Sequence, residues 1–117
     1  MIIIAGSVTV DPEQRAAALE AGRTLMQETR ALKGCVDYVW SADPAVPDRI
    51  YVYERWEREA DLAAHLAGPL YIAMRDTIAS HGLRGADVAK FEIARMGAVY
   101  DPKGRPRADF FEDESSS

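Results

Sequence analysis

Residues Arg49 to Pro69 read RIYVYERWEREADLAAHLAGP, and the reading of this stretch decides the architecture. Its first eight residues alternate with the period of a strand. Tyr51, Tyr53 and Arg55 fall on one side, and Ile50, Val52, Glu54 and Trp56 on the other. From about Glu57 the period becomes helical, and Leu62 and Leu66 open an apolar stripe that Ala73, Met74 and Ile78 continue. Proline lacks the amide proton and disfavours helix in the residue before it, so the stripe is expected to kink or restart at Gly68-Pro69. A strand thus runs directly into a broken helix. The junction gathers a carboxylate, Glu54, and an indole, Trp56, with the imidazole of His65 a little further on.

Upstream, Asp43 to Asp48 holds two prolines and two aspartates and reads as a loop. Before it, Cys35 to Ala42 reads as a strand with Val36, Tyr38 and Trp40 on one face and Cys35, Asp37 and Val39 on the other. The short connection makes these two strands an antiparallel hairpin. Ala18, Leu19, Leu25, Met26 and Leu32 recur at helical spacing, with Asp11 as the expected N-cap, Pro12 at the first helical position and Gly34 as the C-cap. Ile2 to Val10 is rich in β-branched residues and reads as the first strand. Downstream, Gly82 and Gly85 end the second helical region, and Val88 to Met96 reads as the last strand.

The order β-α-β-β-α-β predicts a ferredoxin-like α+β fold, with a four-stranded antiparallel sheet and both helical regions on one face. The other face would carry Ile3, Tyr51, Tyr53 and Phe91, which is too apolar to leave in water. Two such faces packed together predict a homodimer with a barrel-like core. Residues 1–100 form the expected domain. From Asp101 the chain turns rich in proline, charge and serine, so 101–117 is expected to be a flexible acidic tail, with Phe110 and Phe111 as its apolar exceptions.

At 117 residues, 48% apolar and 28% charged, the chain has the composition of one globular domain. A net charge of −5 and the lack of a basic stripe interleaved with aromatics argue against nucleic acid as a partner. The apolar run at Ile2–Ile4 has no basic residues before it and stops at Gly6-Ser7, which argues against a secretory signal or a membrane span. With the single cysteine Cys35, this predicts a cytoplasmic protein. Two histidines without metal-ligand spacing and no glycine-rich phosphate loop lead us to expect no metal and no cofactor.

Among candidate site residues, His65 has the pKa of a general base, and its alternative role is a half-buried tie from helix to the Glu54 carboxylate. Trp56 is either a core aromatic or a wall for a flat substrate. Tyr71 follows the expected helix break, where a phenol can meet a substrate oxygen, and Arg75 lies one turn further on, where it can stabilise an anion.

Glu54-x-Trp56, Leu62, His65-Leu66 and Pro69 resemble the E-x-W…L-x-x-H-L-x-x-P signature of the antibiotic-biosynthesis-monooxygenase domain, as does Gly34-Cys35 followed by Tyr38. That family, which includes bacterial quinol monooxygenases, belongs to the dimeric α+β barrels. The resemblance implies cofactor-independent oxidation of a quinol- or anthrone-like hydroxylated aromatic by O2. It makes His65, Tyr71 and Arg75 the catalytic candidates and Trp56, Glu54, Ser7 and Tyr38 the substrate-binding ones. Isomerisation or another proton transfer on the same scaffold is the alternative enzyme, and a dimeric domain that binds an apolar metabolite is the non-catalytic one. Leu70 departs from the family, whose members commonly carry His or an aromatic directly after the proline. The haem-degrading branch uses Asn, Trp and a haem-ligating His where this chain has Ser7, His65 and Arg75, and a guanidinium does not ligate iron. Haem is therefore expected not to be a substrate. A haem titration should give no saturable Soret shift, and near-stoichiometric binding would overturn that expectation.

Overall fold

Strand β1 (Ile2–Thr9) lies inside the sheet, where both of its edges are hydrogen-bonded, and its pairing sets the alignment of the molecule. The structure, a computed structural model, describes residues 1–111. The acidic end of the expected tail, residues 112–117, lies outside the described residues. The other elements are α1 (Arg15–Thr29), β2 (Cys35–Ala42), β3 (Arg49–Trp56), α2 (Glu59–Leu66), α3 (Pro69–Ala79) and β4 (Gly85–Glu92). All strand pairs are antiparallel in the order β2-β3-β1-β4, the ferredoxin-like arrangement. The second helical region is split as its sequence requires. Gly68 takes an extended conformation (φ −96°, ψ 166°), and Pro69 starts α3 at a position where its missing amide costs nothing.

Register assigns the two faces. Ile2 pairs with Trp56, Ile4 with Glu54 and Val8 with Ile50, and these residues face the helices. There Val8, Ile50, Val52, Trp56 and Tyr38 form one core with Ala18, Met26, Leu62, Met74 and Ile78. The interleaved set, Ile3, Ala5 and Ser7 on β1 with Tyr51, Tyr53 and Arg55 on β3, forms the helix-free face. Tyr51 there is 48% exposed and Phe91 52%. Among the described residues no helix is long and apolar enough to cross a membrane.

Three local expectations are corrected. Pro12 does not open α1. Residues 12–14 form a turn in which the Asp11 carboxylate accepts bonds from the Glu13 amide (3.0 Å) and the Gln14 side chain (3.3 Å), and the helix begins at Arg15. Strict alternation fails in β2, because Cys35 pairs with Trp56 and Asp37 already with Arg55. Val36 is the extra residue of a bulge, which turns Cys35 toward the core together with Tyr38. Finally, β4 runs from Gly85 to Glu92 rather than from Val88 to Met96. Its ladder is confined to the length of β1, from Thr9↔Gly85 to Ile2↔Glu92, and a pairing partner outweighs local strand propensity.

Beyond β4, Tyr100 bridges to Pro106 around a turn held by the buried Asp101 carboxylate. It accepts the Lys103 and Arg105 amides at 3.0 Å each and the Arg105 guanidinium at 2.9 Å. Phe110 lies under the Arg95 guanidinium, 4.2 Å from it.

Gly34 ties the α1–β2 turn to the start of α2. Its φ is +79°, its carbonyl accepts the Glu57 amide at 2.8 Å, and a Cβ there would collide with the Asp61 carboxylate. Gly34→Ala should therefore cost about 2 kcal/mol or more, read as a lower denaturant midpoint with an unchanged far-UV spectrum. An unchanged midpoint would show that the turn relaxes freely.

Candidate active site between the broken helix and the sheet

The site starts from the period-two geometry of β3, which puts Glu54 and Trp56 side by side on the helix face. Trp56 is fully buried, and its Nε1–H donates to Glu54 Oε1 at 3.0 Å. That bond accounts for the E-x-W spacing, since the two residues of one strand face satisfy each other. His65 comes down from α2, only 4% exposed. Its ring stacks on Trp56 with centroids 4.8 Å apart and planes 23° from parallel. Two further aromatics meet it edge-on, Tyr38 at 5.8 Å and Tyr71 at 5.9 Å. The imidazole is thus held by three rings. Among the described residues no hydrogen bond joins His65 to Glu54, and His65 Nδ1 is buried without a partner. The expected polar tie from helix to strand is replaced by an aromatic stack, because the carboxylate is engaged by the indole on its own strand.

Two concavities meet this cluster. An inner cavity of about 170 Å³, partly open to solvent, lies between the sheet and α3. Glu54, Tyr38, Tyr71 and Arg75 supply its polar groups, and Val8, Met74, Ile78 and Leu83 much of its apolar wall. An outer cleft of about 420 Å³ runs between the Leu32–Lys33 turn, the α2 residues Ala60, Asp61 and Ala64, and the Gly68–Leu70 junction; His65 lines this cleft. The structure therefore gathers four of the candidates, Glu54, Tyr38, Tyr71 and Arg75, around one cavity, and places Trp56 and His65 behind its wall. Ser7 does not join them. Its register partners, Tyr51 and Asp87, put it on the helix-free face, apart from the other candidates, a one-residue matter of strand parity. Trp40 was not among the candidates. It lines the inner cavity and donates its Nε1–H to the Tyr38 hydroxyl at 2.9 Å, and its position two residues from Tyr38 on the same strand was the available signal.

The cavity disfavours charge. Burial raises the Glu54 carboxyl above its ordinary 4.5, partly offset by the Trp56 hydrogen bond. Burial first, and the nearby Glu54 second, raise the Tyr38 phenol. The His65 imidazole is lowered below 6.5 by burial. Arg75 sits at the rim, its guanidinium 6.0 Å from the Tyr71 ring and its Nε 3.3 Å from Asp76. The arrangement offers a buried carboxyl able to exchange a proton, phenolic hydroxyls, and one cation at the edge of an apolar chamber.

These shifts set a pH dependence. The unfolded chain binds a proton at His65 more readily than the fold does. Stability present above pH 6.5 is therefore lost as the pH falls below that value. Glu54 acts with the opposite sign, because the fold favours its neutral form. Its contribution fades as the pH rises from 4.5 through the raised value. His65→Phe, which keeps an aromatic ring on Trp56 but does not titrate, should flatten the acid arm just below pH 6.5 in denaturant melts. An unaltered arm would mean that His65 is not the group responsible.

The model of the antibiotic biosynthesis monooxygenase (ABM) family matches residues 1–77, which include every polar residue of the inner cavity. An uncharacterized protein of Synechocystis sp. is 24% identical over 70 residues, 60% of this chain and 48% of that protein, so the match spans about half of the relative's length. A solved structure from Deinococcus radiodurans, provisionally described as an antibiotic biosynthesis monooxygenase, superposes with a TM-score of 0.76 at 22% identity. It covers 85% of this chain and 98% of that one. One from Nitrosomonas europaea with the same provisional description superposes with a TM-score of 0.72 at 21% identity, covering 81% and 100% of the two chains. At these identities the structures speak to the fold, and the family match to the sequence. With its E-x-W strand, broken second helix and ferredoxin-like sheet, this chain belongs to the antibiotic biosynthesis monooxygenase family.

Proposed function

We propose that the protein is a monooxygenase that oxidises an electron-rich, single-ring hydroxylated aromatic with O2, using the substrate's own electrons. The observation that carries this reading is the inner cavity of about 170 Å³, with a buried carboxyl on its wall. The pocket is partly open to solvent, and at about 170 Å³ its inner part is closer to one aromatic ring than to three, which favours a quinol over a three-ring anthrone.

Glu54 lines the cavity and His65 does not, so the role of proton acceptor falls to the carboxylate. Its raised pKa brings it nearer to that of its task than an ordinary glutamate. Loss of the phenol proton to Glu54 leaves an electron-rich anion, which Tyr71 and Arg75 stabilise by hydrogen bonding and charge. A ring carbon bearing hydrogen then transfers electrons to O2 and forms a C–O bond, giving a hydroperoxide. Loss of water, with the carbon's hydrogen leaving as a proton, converts that carbon to a carbonyl. One oxygen atom ends in the quinone and the other in water, and the substrate supplies all the electrons. The apolar wall of Val8, Met74 and Ile78 shields one side of the anion from water.

The reading includes a homodimer through the helix-free sheet face, supported by the exposed Tyr51 and Phe91 there. Sedimentation at micromolar concentration should show a dimer, and a stable monomer would remove this part of the proposal. An oxygen electrode with a panel of single-ring quinols tests the chemistry. Uptake is expected to accompany quinone formation, and Glu54→Gln should lower kcat by about 100-fold or more while the fold persists. Substrate loss without O2 uptake would point instead to proton-transfer chemistry. Ligand-induced stabilisation without turnover would point to a binding domain.

A further inference from the structure

We infer that His65 is the partition between the inner cavity and the outer cleft, so that a multi-ring ligand cannot span the two; the inference rests on reading the inner cavity as the substrate site. The imidazole has one neighbour space on each side. It lines the outer cleft of about 420 Å³. Its other contacts are edge-on to Tyr38 and Tyr71, and both of these line the inner cavity of about 170 Å³. At 4% exposure the ring is packed between the outer cleft and these two tyrosines.

What holds the partition is packing alone. Trp56 backs the ring face to face at 4.8 Å, and among the described residues neither a hydrogen bond to Nδ1 nor an ion pair fixes it. Replacing the ring by a methyl group removes the material between the cleft and the two tyrosines. The space it opens continues into a cleft walled mainly by Leu32, Ala60, Ala64, Pro69 and Leu70, a lining suited to further aromatic rings. Lys33 and Asp61 supply the cleft's charged groups. Helix α2 keeps Leu62 as its buried anchor, and alanine is a strong helix former. The separation of the two spaces thus rests on one side chain rather than on the fold as a whole.

The test is a binding measurement made without O2, so that neither probe turns over. Catechol serves as the single-ring probe. The three-ring probe is 1,8-dihydroxyanthraquinone, already oxidised and so not consumed. Wild-type protein should bind catechol and should bind the three-ring probe at least about ten-fold more weakly. His65→Ala should tighten the three-ring probe by about ten-fold or more, while catechol changes by less than about three-fold. Adding Ala64→Trp, which fills the cleft, should reverse that gain and leave catechol binding unchanged. If both proteins bind catechol and the three-ring affinity does not change, the partition is refuted while the substrate reading stands. If wild-type protein fails to bind catechol, the cavity is not the substrate site and the partition falls with it. Should His65→Ala fail to fold, His65→Cys opens a smaller gap, and the absence of any gain in three-ring binding there would equally refute the inference.

Discussion

His65 stacks face to face on Trp56 at 4.8 Å, and through this contact the broken helix is set against the sheet. A ring pair of this kind contributes about 0.5–1.5 kcal/mol beyond the area it buries. The contact has more consequence than that figure suggests, because Tyr38 and Tyr71 close on the same imidazole from β2 and α3. Four elements therefore meet on one side chain. The stack requires Trp56 to be immobile, and the strand provides this twice over, by complete burial and by the bond from its indole to Glu54.

That bond shapes the chemistry as well. A carboxyl only 7% exposed on an apolar wall would ordinarily be an expensive group to keep. The indole N–H satisfies one oxygen and limits the upward shift of its pKa, leaving an acid–base group on the cavity surface. The break at Gly68-Pro69 does the complementary work on the helix side. A continuous helix would carry Tyr71 and Arg75 along the axis of α2. The restart at Pro69 lets α3 take its own direction, with both residues toward the cavity and Met74 and Ile78 in the core.

The period-two pattern of Arg49–Trp56, the helical stripe after it and the proline break were legible in the sequence, because each is a local consequence of backbone geometry and hydrophobic spacing. The same local physics gave the element order, and with it the fold class. Glu54 and Trp56 could be placed on one face from their spacing alone. Tyr71 and Arg75 could be placed one helical turn apart for the same reason.

What needed the tertiary structure was parity and alignment. Cys35 faces the core because Val36 bulges out of β2, and an extra residue in a ladder leaves no mark on the hydrophobic pattern. Ser7 faces away from the site because its pairing with Tyr51 and Asp87 sets its side of the sheet. β4 starts at Gly85 because β1 offers partners only that far, although glycine is a poor strand former in isolation. His65 and Glu54 lie close in sequence and on adjoining elements, yet they face different spaces. Only the packing of three rings around the imidazole decided that one lines the outer cleft and the other the inner cavity. Spacing along the chain determines which residues share an element's face. The contacts between elements determine what that face encloses.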